Sequence, residues 1–233
     1  MGKIYKALSV VLVLCLLISV SGGSLLRADE ASAASNIDPV VDMAKAFDER
    51  AFELSEEEKQ FYVNQFNADL ESKVLVLHMN SSIKLDLENA IVSGYLNGET
   101  NEYLISVPFT DELEKGSIFT VAYNSNGDVL NTHEYQFSNI DSKFGLAQYW
   151  KNGELTFDQK VDKTKYEGGV STKSWSCMNK CLADMGIANW VLAMIGVACA
   201  AACITVVGCA PCIQGMGIFL SFEFNHCFNK CFY

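Results

Sequence analysis

The 233-residue chain is half hydrophobic, carries a net charge of −11 and contains nine cysteines. That length accommodates one ordinary domain plus a small one. An acidic chain without a basic patch excludes nucleic acid as a partner.

The charge is unevenly spread. Residues 1–33 carry Lys3, Lys6 and Arg27 against Asp29 and Glu30, and residues 175–233 carry Lys180 and Lys230 against Asp184 and Glu223. The acidity therefore resides in the middle.

Residues 1–33 read as a secretory signal peptide. Lys3 and Lys6 form a positive start, Ala7–Val20 is an uncharged apolar stretch, and Ala31-Ser32-Ala33 supplies small residues for cleavage after Ala33. Removing this segment removes Cys15 and leaves eight cysteines, all between Cys177 and Cys231. An even cysteine count in a secreted chain reads as a disulfide framework.

In the middle, Ser55-Glu56-Glu57-Glu58 predicts a helix start, with a serine cap and acids where the helix dipole favours them. Phe61, Val63, Phe66 and Leu70 supply apolar spacing for a helix over 55–72. Lys73–Met79 predicts a strand. Three hairpins follow: 90–96 with 103–109, 117–123 with 129–137, and 145–150 with 155–161. Their turns hold Asn97-Gly98, Asn126-Gly127 and Asn152-Gly153. The expected fold class for 34–165 is α+β, one helix plus an antiparallel meander.

Residues 162–174 are polar and contain Gly168-Gly169, which marks a linker over 166–174 and a region for propeptide cleavage. From 175 to 233 the expectation is a second, small, all-α, disulfide-rich domain. Its cysteines stand at 177, 181, 199, 203, 209, 212, 227 and 231. Residues three or four apart share a helix face, so each pair presents two thiols along one stripe. A nested pattern would join Cys177 to Cys203, Cys181 to Cys199, Cys209 to Cys231 and Cys212 to Cys227. It is one of 105 connectivities. The turns would fall near 186–190 and 215–217.

Other chemistries for these thiols are weaker. Cys209 and Cys212, with His226 near, have zinc-type spacing, and Cys209-Ala210-Pro211-Cys212 has redox-pair spacing. Neither has the surrounding pattern, so no metal is expected. His78 and His133 fall in predicted strands without a catalytic partner spacing, and no glycine-rich phosphate loop is present. No enzyme activity and no cofactor are expected.

Residues 187–207 are uncharged and long enough to span a bilayer. One function reading is therefore a membrane-anchored extracellular binding or structural protein, with a transmembrane helix at 187–207. Cys199 and Cys203 inside that run favour a crosslinked peptide instead.

The set Cys177-Met-Asn-Lys-Cys181, Cys199-Ala-Ala-Ala-Cys203, Cys209-Ala-Pro-Cys212 and Cys227-Phe-Asn-Lys-Cys231, in Gly/Ala/Ile/Val-rich sequence, resembles the halocin C-8-like bacteriocins. The resemblance covers about sixty residues. It implies a secreted precursor whose C-terminal antimicrobial peptide is released by proteolysis and inhibits related cells. It also passes an immunity role to 34–165, beside which stands a chaperone-like propeptide role. The partners expected are a processing protease, a target-cell membrane or membrane receptor, and the chain's own N-terminal domain.

Overall fold

Ile118–Tyr123 reads Ile-Phe-Thr-Val-Ala-Tyr, and all six side chains are buried. A strand covered on both faces reads as such a run, whereas one with a wet face alternates. The computed structural model describes residues 49–78, 83–110, 112–166, 173–202, 226–227 and 230–231. In it this run is the centre of an eight-stranded antiparallel sheet. The strands are β1 (Ala51–Phe52), β2 (Lys84–Leu85), β3 (Ile91–Asn97), β4 (Thr100–Thr110), β5 (Ile118–Tyr123), β6 (Val129–Asn139), β7 (Phe144–Lys151) and β8 (Glu154–Asp162). Their order is β1-β3-β4-β5-β6-β7-β8, with β2 beside β4. The helices are α1 (Glu56–Glu71), α2 (Lys173–Asp184) and α3 (Asn189–Ala202).

The three hairpins predicted from sequence are present as β3–β4, β5–β6 and β7–β8. At the last turn Asn152 and Gly153 both take positive φ, 51° and 79°, the requirement of a two-residue turn that matches strand twist. At the second, the Asn124 side-chain oxygen accepts from the backbone N–H groups of Asn126 and Asp128 at 2.8 and 2.9 Å.

Ser55 caps α1 as the sequence predicts. Its hydroxyl accepts from the Glu58 N–H at 3.3 Å, and the Glu58 carboxylate accepts from the Ser55 N–H at 2.8 Å. This reciprocal pair satisfies two amides at the helix start and lowers the Glu58 pKa. Of the predicted apolar positions on α1, Phe66 is buried and Leu70 packs against the core, and the departure is at Phe61, whose place Tyr62 takes. Tyr62 and Phe66 are buried, while Phe61 is 49% exposed. The Tyr62 ring stacks on Tyr103 at 4.4 Å, and Phe66 lies 6.2 Å from Phe119. With Ile105, Val107 and Val121 these residues form the core on one sheet face.

The strand expected over 73–79 is not formed at 73–78, which has irregular backbone. Leu75 is buried under it, but Val74 and Val76 are exposed, and side chains hold the segment in place. The buried Glu134 carboxylate accepts from the His78 N–H at 3.1 Å, lies 3.1 Å from His78 Nδ1, and accepts from Gln136 Nε2 at 2.5 Å. Gln136 also donates to the His78 carbonyl at 2.9 Å.

The expected fold class, an α+β domain followed by a separate all-α domain, is overturned. The structure is mainly antiparallel sheet, and Ala33–Tyr233 forms a single compact unit. The cysteine-rich segment has no core of its own among the described residues. Leu182, Ile187, Trp190, Val191, Met194 and Ile195 join Tyr95, Leu104, Phe137, Ala147, Tyr149 and Val161 in one cluster on the second sheet face. The physical reason is the two-faced sheet: α1 covers one face, and the other stays apolar until the tail lies on it. The linker shortens accordingly. Residues 163–166 form a 3-10 turn, and Lys173 and Ser174 are already in α2. Lys163 Nζ ties the turn to Asn139 Oδ1 at 2.6 Å and to the Asp141 carbonyl at 2.7 Å. The signal peptide with Ala33, and Gly168 and Gly169, lie outside the described residues.

These burials set a contrast in stability. Phe66→Ala is expected to destabilise the chain by roughly 3–5 kcal/mol, and Phe61→Ala by no more than about 0.5 kcal/mol, as read from urea midpoints.

Candidate functional site

The site begins with two cysteine pairs at one-turn spacing. Cys177 and Cys181 lie on α2; Cys227 and Cys231 lie in helical turns at 226–227 and 230–231. Disulfides join Cys177 to Cys231 and Cys181 to Cys227, with Cα–Cα distances of 5.8 and 5.6 Å. Outer bonds to outer and inner to inner, as two antiparallel helical turns require. The nesting principle holds, but the partners differ from those expected.

All four proposed pairs are excluded, because each of Cys177–Cys203, Cys181–Cys199, Cys209–Cys231 and Cys212–Cys227 uses a sulfur that is bonded elsewhere. Pairing Cys181 with Cys199 needs a hairpin centred on residue 190. The chain instead turns at Gly186, with φ of +90°, and α3 starts at Asn189. Cys199 then lies about six residues, or ~9 Å along the helix, past the position facing Cys181. That is beyond disulfide reach. The Cys199 side chain and Cys203, Cys209 and Cys212 lie outside the described residues.

The bridged turns sit in the core. Cys181 is 6% exposed and Cys227 fully buried, with the Cys227 sulfur 3.8 Å from that of Met185. Lys115 Nζ, from the loop before β5, donates to the Met185 carbonyl at 3.1 Å. A cation there satisfies a carbonyl at the C-terminal end of α2 and complements its dipole. Trp190 meets Phe137 edge to face at 6.1 Å and 81°. Every described link from tail to sheet is thus packing or a hydrogen bond, while the tail is crosslinked only to itself.

The sheet face beneath carries a buried polar row that sequence reading missed. His133 on β6 is 1% exposed. Its Nδ1 lies 2.8 Å from the Tyr149 hydroxyl and its Nε2 2.7 Å from Asn131 Oδ1. Tyr149 stacks on Tyr135 at 4.4 Å. Burial pushes the Tyr149 phenol up to about 12 and Tyr135 well above its ordinary value. Burial, aided by Lys151, pulls His133 down to about 3. One step away, Ser106 Oγ and Thr120 Oγ1 share a 2.9 Å hydrogen bond. His133 lies in a strand as expected and is a neutral, satisfied core residue. His78 lies in irregular backbone, its ring stacked on Trp150 at 4.9 Å. His226 is exposed, and no cluster of three or more metal-ligating side chains occurs among the described residues.

The buried neutral histidine makes stability depend on pH. Its folded pKa is below the unfolded value, so the unfolded chain binds a proton first as pH falls. Between pH 6.5 and pH 4 this removes about 3 kcal/mol. Urea midpoints at the two pH values should show that loss, and His133→Gln should remove most of it. Reduction should cost about 4 kcal/mol for the first bridge and less for the second, since the first already holds the ends together. Peptide mapping without reduction should recover Cys177–Cys231 and Cys181–Cys227.

No protein-family model, curated protein or solved structure matches this chain.

Proposed function

We propose that the chain is a secreted precursor in which the β-sheet region sheathes an apolar, disulfide-closed antimicrobial peptide. A protease cuts between the two, and the freed peptide acts on the membrane of a target cell. One observation carries this reading. The tail closes covalently on itself through two bridges, yet it meets the sheet only by non-covalent contacts. No cysteine lies between Cys15 and Cys177, so no disulfide joins the sheet region to the tail. One backbone cut after Tyr166 severs the only remaining bond. The disulfides fit an oxidising compartment, and the paired-cysteine pattern supports the bacteriocin-like reading.

Packing on the sheet supports the sheath over the anchor. In α3, Trp190, Val191, Met194 and Ile195 are buried and share one core cluster with residues of the sheet. Each such side chain contributes about 1.5–3 kcal/mol on burial. Cutting the backbone therefore leaves the halves associated until a bilayer offers the same apolar surroundings. The tail carries as many acids as bases, so its bilayer affinity comes from apolar area and not from charge.

Mass spectrometry of culture supernatant tests the reading. A fragment of about sixty residues with all cysteines oxidised is expected under denaturing conditions, and co-elution with the sheet region under native ones. Finding only the uncut chain, or free thiols, overturns it.

A further inference from the structure

Gly145 lies within β7, opposite Asn139 on β6 and Val161 on β8. It is not among the residues with positive φ, so its backbone suits any amino acid. Glycine inside a strand weakens it, and its presence needs another cause. A Cβ placed on Gly145 would stand 2.8 Å from Trp190 Cη2 and 3.0 Å from Cζ2 and Cζ3. The indole occupies the space that a side chain would take. Phe137 stands edge-on to the ring, and Ala147 continues the small-residue floor along β7. Trp190 itself is 5% exposed, at the first turn of α3. A rigid bicyclic ring walled in this way cannot move aside unless the helix start moves with it.

We propose that Gly145 and Phe137 form an indole socket through which the sheet region recognises the tail, with Trp190 as the residue that decides whether α3 is held. This rests on the reading that the sheet sheathes the tail, and it names the determinant of that hold. A smaller aliphatic side chain at 190 leaves the socket part-empty, and any Cβ at 145 closes it.

Hydrogen exchange on the full-length oxidised chain tests the assignment. Gly145→Ala is expected to raise exchange of the α3 amides by about tenfold or more, with the β4 and β5 amides unchanged. Gly145→Ala combined with Trp190→Leu should recover most of the protection, because the smaller side chain makes room for the methyl group. A strand glycine without an occupant gives the opposite sign, since alanine strengthens a strand. Unchanged or slower α3 exchange in Gly145→Ala therefore overturns the socket, and so does failure of the paired substitution to restore protection. Should Gly145→Ala also loosen β4 and β5, Trp190→Leu alone decides: faster α3 exchange with an intact sheet supports the anchor, and wild-type exchange overturns it. These readouts do not depend on whether a cut peptide reaches the medium, so failure of the socket and failure of the precursor reading are separable.

Discussion

An antiparallel sheet whose central strands are apolar on both sides must bury both faces. On β5, Phe119, Val121 and Tyr123 face α1, while Ile118 and Ala122 face the other way. α1 supplies a single cover of 16 residues. The second face gains its described cover from the far end of the chain. Sheet and tail thus answer the same demand from opposite sides, each too apolar to stand in water alone. The arrangement of sheet and tail follows from that demand and needs no disulfide between the parts.

The disulfides belong to the same logic. α2 can bridge whatever helical turn lies antiparallel beside it at the right height. Lys115 holds the end of α2, and the glycine turn at 186 fixes where α3 begins. Those constraints carry Cys199 past Cys181 and leave the α2 thiols to the C-terminal turns. The bridges therefore close loops of 54 and 46 residues around α3, which lies between them in sequence.

Much of the middle was legible because turn chemistry is local. Asn-Gly pairs placed three hairpins, and the serine with three glutamates placed α1. What failed was non-local. Phe61 and Tyr62 are adjacent aromatics, and it is Tyr103 and Tyr123 on distant strands that receive the Tyr62 ring. Lys73–His78 has strand composition, but a buried Glu134 on a distant strand claims its backbone N–H. The one missed signal was present in sequence: the unbroken run Ile118–Tyr123 lacks the alternation of a half-wet strand. It announced a second cover, and the only unassigned apolar sequence long enough was the tail. The connectivity was illegible because spacing fixes helix stripes without fixing where a hairpin turns.

The buried polar row bears on why the sheet face meets the tail mainly by packing. His133, Tyr149 and Asn131 satisfy one another within the sheet, as do Ser106 and Thr120. These five side chains therefore ask for no hydrogen-bond partner from α2 and α3. Had His133 reached toward the tail, departure of the tail would strand a buried polar group and oppose release. With these polar needs met internally, the contact between this part of the sheet and the tail is mainly apolar, and under the proposed function that is the contact a lipid bilayer would replace. Under the proposed function, a sheath built this way would favour transfer of the tail to a membrane over discharge into water.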